Sequence, residues 1–97
     1  MPDVRLHGYL VCSDEQDVVA VLEHLDAHIE LTRAEAGCIS FDVSRTDDPF
    51  VWRVEERFTD TVAFRRHQDR VAASDWGRAT AGIERRYTIE GVESGRL

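Results

Sequence analysis

The sequence predicts an α+β domain: four strands in one antiparallel sheet, with two helices on a single face. Three observations predict it. Four short segments alternate apolar and polar residues, the period of a half-buried strand. Two longer segments carry apolar residues at spacings of three and four, the period of a helix with one buried stripe. Their order along the chain is β-α-β-β-α-β, and 97 residues suffice for one domain over positions 1–97.

The first strand is "DVRLHGYLVC", with Val4, Leu6, Gly8, Leu10 and Cys12 on one side and Arg5, His7, Tyr9 and Val11 on the other. "SDEQ" at 13–16 is a capping-box pattern: Ser13 accepts from the N–H of residue 16 and Gln16 reaches back to the N–H of Ser13. The helix that follows carries Val18, Val21, Leu22, Leu25, Ile29 and Thr32 as its stripe and runs to about Ala36, with Gly37 as its stop. "CISFDVSRT" alternates again, placing Ile39, Phe41 and Val43 together. The turn "DDP" at 47–49 bars helix, and "FVWRVEERF" forms the third strand, with Phe50, Trp52, Val54, Glu56 and Phe58 sharing a side. Thr59 or Asp60 caps the second helix, whose face holds Ala63, Phe64, His67 and Val71. Ser74 caps a short extra turn, "DWGRATAG". "IERRYTIEGV" is the last strand, with Ile83, Arg85, Tyr87 and Ile89 together.

This order is the split βαβ, or ferredoxin-like, arrangement, with strand order 4-1-3-2. The first and second strands then run parallel without touching. Cys12 ends one and Cys38 begins the other, so an intramolecular disulfide is excluded on geometry. Both thiols read as reduced, and neither belongs to a CxxC pair. The face of the sheet away from the helices carries Tyr9, Val11 or Trp52, depending on register, and a second subunit is its simplest cover.

The formal net charge of −7 argues against nucleic acid, whose phosphates need a basic surface, and against an anionic membrane surface. No apolar run is long enough to span a membrane, and "MPDVRLHGYLV" lacks a signal-peptide layout, so a cytoplasmic location is expected. All twelve basic residues are arginine, a composition expected of a GC-rich bacterial genome.

The segments "RAEAGCISFDV" and "DDPFVWRVEERFTDTVAFRRHQ" resemble the antibiotic biosynthesis monooxygenase family, which includes small quinol monooxygenases. The resemblance rests on Glu35, Gly37, Cys38, Pro49, Glu56, Phe58, Asp60, Ala63, Phe64 and His67. It implies a homodimer with sheets packed together, a dimeric α+β barrel, and a pocket between sheet and helices. It also implies oxidation of a phenolic, quinol or polyketide-type substrate by O₂ with no cofactor. The chain has no Gly-rich phosphate loop and no metal-ligand cluster, in keeping with that. Haem-degrading enzymes on the same fold place an Asn in the first strand, a Trp at the end of the third, and a ligating His after the second helix. Here those neighbourhoods hold His7, Arg57 or Phe58, and no histidine beyond His67.

His67 is the first candidate. An ionisable ring interrupts an otherwise apolar stripe. It is either a packed histidine with a quiet partner or a pocket base and donor to a phenolic oxygen. Glu56 also interrupts an apolar face; it either pairs with an arginine such as Arg85, or it orients His67 or caps the pocket. Trp52, Phe64, Trp76, Tyr87 and Arg85 are candidate substrate contacts, with core packing the alternative for the aromatics. Trp76, in "SDWG", is a candidate lid. His24 and His28 stand at i,i+4 without an evident third ligand, so they read as solvated flank residues and no metal site is expected. His7 faces a second subunit or solvent. Two other functions fit the same pocket: a non-catalytic small-molecule-binding dimer, and an isomerase or degrading enzyme for a small oxygenated metabolite.

Overall fold

The computed structural model describes residues 3–92. Its elements are β1 (Val4–Val11), α1 (Glu15–Arg33), β2 (Cys38–Arg45), β3 (Val51–Phe58), α2 (Thr61–Ala72), α3 (Asp75–Ala79) and β4 (Glu84–Glu90). The predicted order holds, with the extra turn as α3. The strands form one sheet in the order β2-β3-β1-β4, every neighbouring pair antiparallel. This is the expected ferredoxin-like arrangement. Among the described residues, no helix is long and apolar enough to cross a membrane.

Register decides which side chains meet. Leu6 stands opposite Glu56 and Ile89, Gly8 opposite Val54 and Tyr87, and Leu10 opposite Trp52 and Arg85. Cross-strand partners share a face, so this set turns toward the helices. Val4, Leu6, Leu10, Trp52, Val54 and Phe58 are buried there with Val21, Leu25 and Phe64 from the helices. Gly8 has φ of 152°, and a Cβ at that position would lie 2.1 Å from the Arg86 carbonyl oxygen, so glycine is what lets β1 approach β4 there.

The opposite face is largely charged. It presents Arg5, His7, Tyr9 and Val11 from β1 against Arg53, Glu55 and Arg57 from β3, and Arg86, Thr88 and Glu90 from β4. Trp52 does not belong to this face: alternation turns it inward, where it is buried. His7 lies on this outer side, 3.9 Å from Glu90.

Several local expectations shift. The N-cap of α1 is Asp14, which accepts from Asp17 N–H; the Asp17 carboxylate accepts in turn from the backbone N–H and hydroxyl of Ser13, each at 2.9 Å. The cap therefore sits one residue later than the expected Ser13–Gln16 pairing and is not reciprocal: the Asp17 side chain reaches back past the N-cap to Ser13. α1 ends at Arg33 instead of running to Ala36, which leaves Glu35 in a turn. Gly37 is not a left-handed stop, since its φ is not positive. Its role is close approach: a Cβ would lie 2.2 Å from the Ala63 Cβ, so the turn presses directly on the start of α2. Ile39 is 47% exposed, because the ladder shifts between Cys38 and Ser40 and the extra residue of a bulge leaves its strand's alternation. Asp60 caps α2 and Ser74 caps α3 through their side chains. Both cysteines are free thiols.

Candidate active site

A cavity of about 330 Å³ lies between the inward face of the sheet and the helices. His67, Glu56, His28, Trp76, Tyr87 and Arg85 are on its wall. The helical spacing that put His67 on the inner stripe also buries it, at 2% exposure. Its Nδ1 lies 2.9 Å from Glu35 Oε1. The other Glu35 oxygen accepts from Arg70 Nε, and Arg70 Nη2 donates to Thr32 Oγ1 at 3.1 Å. Arg70 sits one turn after His67 on α2, so the two side chains project to the same neighbourhood. The early end of α1 brings Glu35 to both of them.

This chain of partners sets the imidazole's tautomer. The Glu35 carboxylate only accepts, so His67 carries its proton on Nδ1 and keeps a lone pair on Nε2. Nε2 lies 3.7 Å from Glu56 Oε1, too far for a direct hydrogen bond. Glu56 Oε1 is buried and has no hydrogen-bond partner. Arg85 does not pair with it, contrary to the alternative foreseen for Glu56. Its guanidinium instead donates to the carbonyls of Thr80 and Ile83 and to Thr80 Oγ1, at 2.6, 2.9 and 2.8 Å. Thr80 Oγ1 in turn donates to the Trp76 carbonyl at 2.7 Å, so Arg85 holds the segment that carries Trp76. Trp76 is a buried wall of the cavity.

Burial dominates the electrostatics. It pushes the Glu56 carboxyl up to about 8, with the negative charge of Glu35 adding to the effect. Burial lowers His67 from its ordinary value; Glu35 opposes the shift and Arg70 reinforces it. Burial likewise drives His28 down to about 3 and the Tyr87 phenol up to about 12. At neutral pH the cavity therefore holds a neutral imidazole with a free lone pair beside a protonated carboxylic acid, and an un-ionised phenol.

His28 corrects an expectation. It is not a solvated flank residue: it is 5% exposed, stacked on Trp76 at 4.5 Å and 3°, and edge-on to Phe41. The buried face of α1 runs through Val21, Leu25, His28 and Thr32, while Leu22 is 50% exposed. The 4-3-4 spacing of that set is helical, but Leu22 competes with His28 for the edge of the same stripe. His24 is half-buried. Trp52 and Phe64, expected beside the substrate, lie away from the cavity wall. Trp52 packs under the Arg45 guanidinium, and Phe64 packs against Phe58. Sequence reasoning assigned no site role to Glu35, Arg70 or His28. Among the described residues, no three His, Cys, Asp or Glu side chains are arranged to hold a metal ion.

The state of Glu56 makes stability pH-dependent. The folded chain keeps its proton up to about pH 8, whereas the carboxyl ordinarily releases it near 4.5. Across that window the unfolded chain binds fewer protons, so stability falls as pH rises, by about 1.4 kcal/mol per pH unit. The two lowered histidines act only below their ordinary value of 6.5, where stability falls as pH falls. Between pH 6.5 and 8 Glu56 is thus isolated from them. Thermal melts of wild type should decline across that interval, while Glu56→Gln should be flatter and the more stable of the two at pH 8. Parallel declines would show that Glu56 is ionised in the folded chain.

A family model described as antibiotic biosynthesis monooxygenase matches residues 11–79. A search of curated proteins returns no match. Solved structures share the fold. Rv0793 from Mycobacterium tuberculosis superposes with a TM-score of 0.72 at 21% identity, covering 99% of this chain and 100% of that one. A Nitrosomonas europaea protein provisionally described as an antibiotic biosynthesis monooxygenase gives 0.77 at 20% identity, covering 93% and 97%. MupZ from Pseudomonas fluorescens gives 0.75 at 20% identity, covering 92% of this chain and 67% of that one.

Proposed function

This chain belongs to the antibiotic biosynthesis monooxygenase family, and from that membership we propose that its cavity oxidises a small phenolic, quinol or polyketide-type substrate with O₂, without a metal, flavin or haem. The observation that carries this is the buried His67 imidazole, oriented by Glu35 through Nδ1 and leaving Nε2 free beside Glu56.

O₂ reacts slowly with closed-shell organic molecules because its ground state is a triplet. An electron-rich anion overcomes this by passing one electron to O₂ and then recombining with the superoxide. The protein's task is to make the anion and shield it from water. His67 Nε2 takes the substrate proton, and the resulting imidazolium is stabilised by Glu35 across Nδ1–H. For an activated CH₂, recombination forms a C–O bond, and the peroxide oxygen recovers the proton from His67. Loss of the second C–H proton then breaks the O–O bond. The carbon becomes a ketone, and hydroxide leaves with the proton of Glu56 as water. The lost C–H proton restores Glu56. One oxygen atom is retained and one is reduced to water, with all four electrons drawn from the substrate. Trp76, Tyr87 and Arg85 are the proposed substrate contacts, Tyr87 as a phenol donor. Trp52 and Phe64 act on the site only through packing. A second copy of the chain, laid against the charged outer face of the sheet, is the proposed partner.

The test is oxygen uptake by the purified protein with a panel of hydroquinones and anthrones, each run also under nitrogen. Uptake matched by an oxygenated product is expected. Substrate that binds and persists would point to a binding module, and conversion under nitrogen to an isomerase; either result removes the monooxygenase assignment.

A further inference from the structure

The cavity contains a second polar group that the chemistry above leaves unused. His28 reaches it from α1 and is 5% exposed, and its Nδ1 has no hydrogen-bond partner. Its ring is not merely filling space, since a leucine or phenylalanine would fill the same volume without the desolvation cost of an unpaired nitrogen. Trp76 stacks flat against it and Phe41 meets it edge-on, so its plane is fixed by two aromatic neighbours. The His28 and His67 rings are 6.1 Å apart between centroids. Two polar anchors therefore stand on one wall, within the span of a single bicyclic aromatic ligand.

We propose that His28 is a specificity-determining residue that hydrogen-bonds a second oxygen of the ligand, so that the cavity selects planar aromatics bearing two oxygens over those bearing one. The inference rests on this cavity being the ligand site proposed above, but not on the reaction assigned to it. The neutral state of His28 at working pH is consistent with the assignment, since burial first and then the positive charges of Arg70 and Arg85 oppose a second proton, as does His67 whenever it is itself protonated. A neutral imidazole donates from one nitrogen and accepts at the other, and a half-turn of the ring exchanges Nδ1 with Cδ2. A hydroxyl, which both donates and accepts, satisfies either nitrogen. The same holds at Glu56, whose unpartnered Oε1 lies in the same wall. A ligand with one hydroxyl at the His67–Glu56 end and another at His28 removes both unpaired groups at once. Trp76 then offers its flat neighbourhood to the ligand ring.

The test is equilibrium binding without oxygen, so that turnover plays no part. The probes are naphthalenediols and the matching methylnaphthols, in which one hydroxyl is replaced by a methyl of similar size. Wild type is expected to prefer the diols by about tenfold or more, the cost of stranding a buried polar group. His28→Phe keeps the aromatic stack and should reduce the preference to near unity while leaving methylnaphthol affinity in place. His28→Gln, which can donate and accept, should restore part of it. In wild type, the ¹⁵N resonances of the His28 ring should move on adding a diol and not on adding a methylnaphthol. The proposal is overturned by an unchanged preference in His28→Phe, by equal loss of both probe types, by static His28 resonances, or by failure of wild type to bind any probe. Diol-selective binding without oxygen uptake would remove the oxidation chemistry and leave His28 in place. Uptake with an indifferent His28 would do the reverse.

Discussion

His67→Ala is expected to lower oxygen consumption by about 10²–10⁴-fold, the contribution of a positioned general base. The variant removes the only lone pair that the Glu35 bond fixes toward Glu56, and no other described histidine can replace it. His28 stands 6.1 Å away between ring centroids and has no carboxylate to stabilise its protonated form. The imidazole is also packed at 4.8 Å from the Phe58 ring, so its loss opens a small void and costs some stability. Initial rates by oxygen electrode, taken at a temperature where melting shows the variant folded, separate the two effects. Added imidazole should recover part of the rate, because the space left behind adjoins the cavity. A variant that is fully folded and within a few-fold of wild type would remove His67 from the chemistry.

Glu35→Gln is the second large effect, and its direction follows from counting acceptors. The carboxylate serves two donors at once, His67 Nδ1–H at one oxygen and Arg70 Nε–H at the other. Glutamine has one oxygen and one NH₂. The guanidinium cannot accept, so it takes the oxygen, and His67 Nδ1 is left facing an N–H. The imidazole proton then moves to Nε2, and the lone pair that faced Glu56 is gone. A rate loss of about 10²-fold or more is expected from such a reversed tautomer, with the shape of the site nearly unchanged. The signature is a fall in kcat with KM little moved, together with a shift of the His67 ¹⁵N resonances from the Nδ1–H to the Nε2–H pattern. Unaltered resonances would mean that Glu35 does not set the tautomer.

Both predictions depend on contacts that differ in how readily they are read from the chain. That Trp52, Val54, Glu56 and Phe58 share one side of β3 follows from simple alternation, whereas the turning of that side toward the helices is fixed by register with β1. The burial of Phe64 and His67 follows from steps of three and four along α2. The strand order follows from the succession of elements together with the rules for connecting them. Glu35 is different. It lies 32 residues from His67, and the pair meets only because α1 stops at Arg33 and Gly37 lets the turn press on α2. The helical phase of α1 was also ambiguous: Leu22 and His28 both border the apolar stripe, and their hydrophobicity favours the wrong one. Packing against Phe41 and Trp76 decides for His28.

Sequence alone therefore determined the elements, their order, the sheet topology and which neighbours share a side with His67 and with Glu56, because periodicity is local and repeats every two or 3.6 residues. Tertiary structure alone decided which charged and aromatic groups share the cavity. Glu35 with Arg70 behind His67, the unpaired Glu56 carboxyl, His28 against Trp76, and the placement of Trp52 and Phe64 in the core all depend on where separate segments end and how closely their backbones approach. Those distances are set by the packing of the whole chain, and no single segment encodes them.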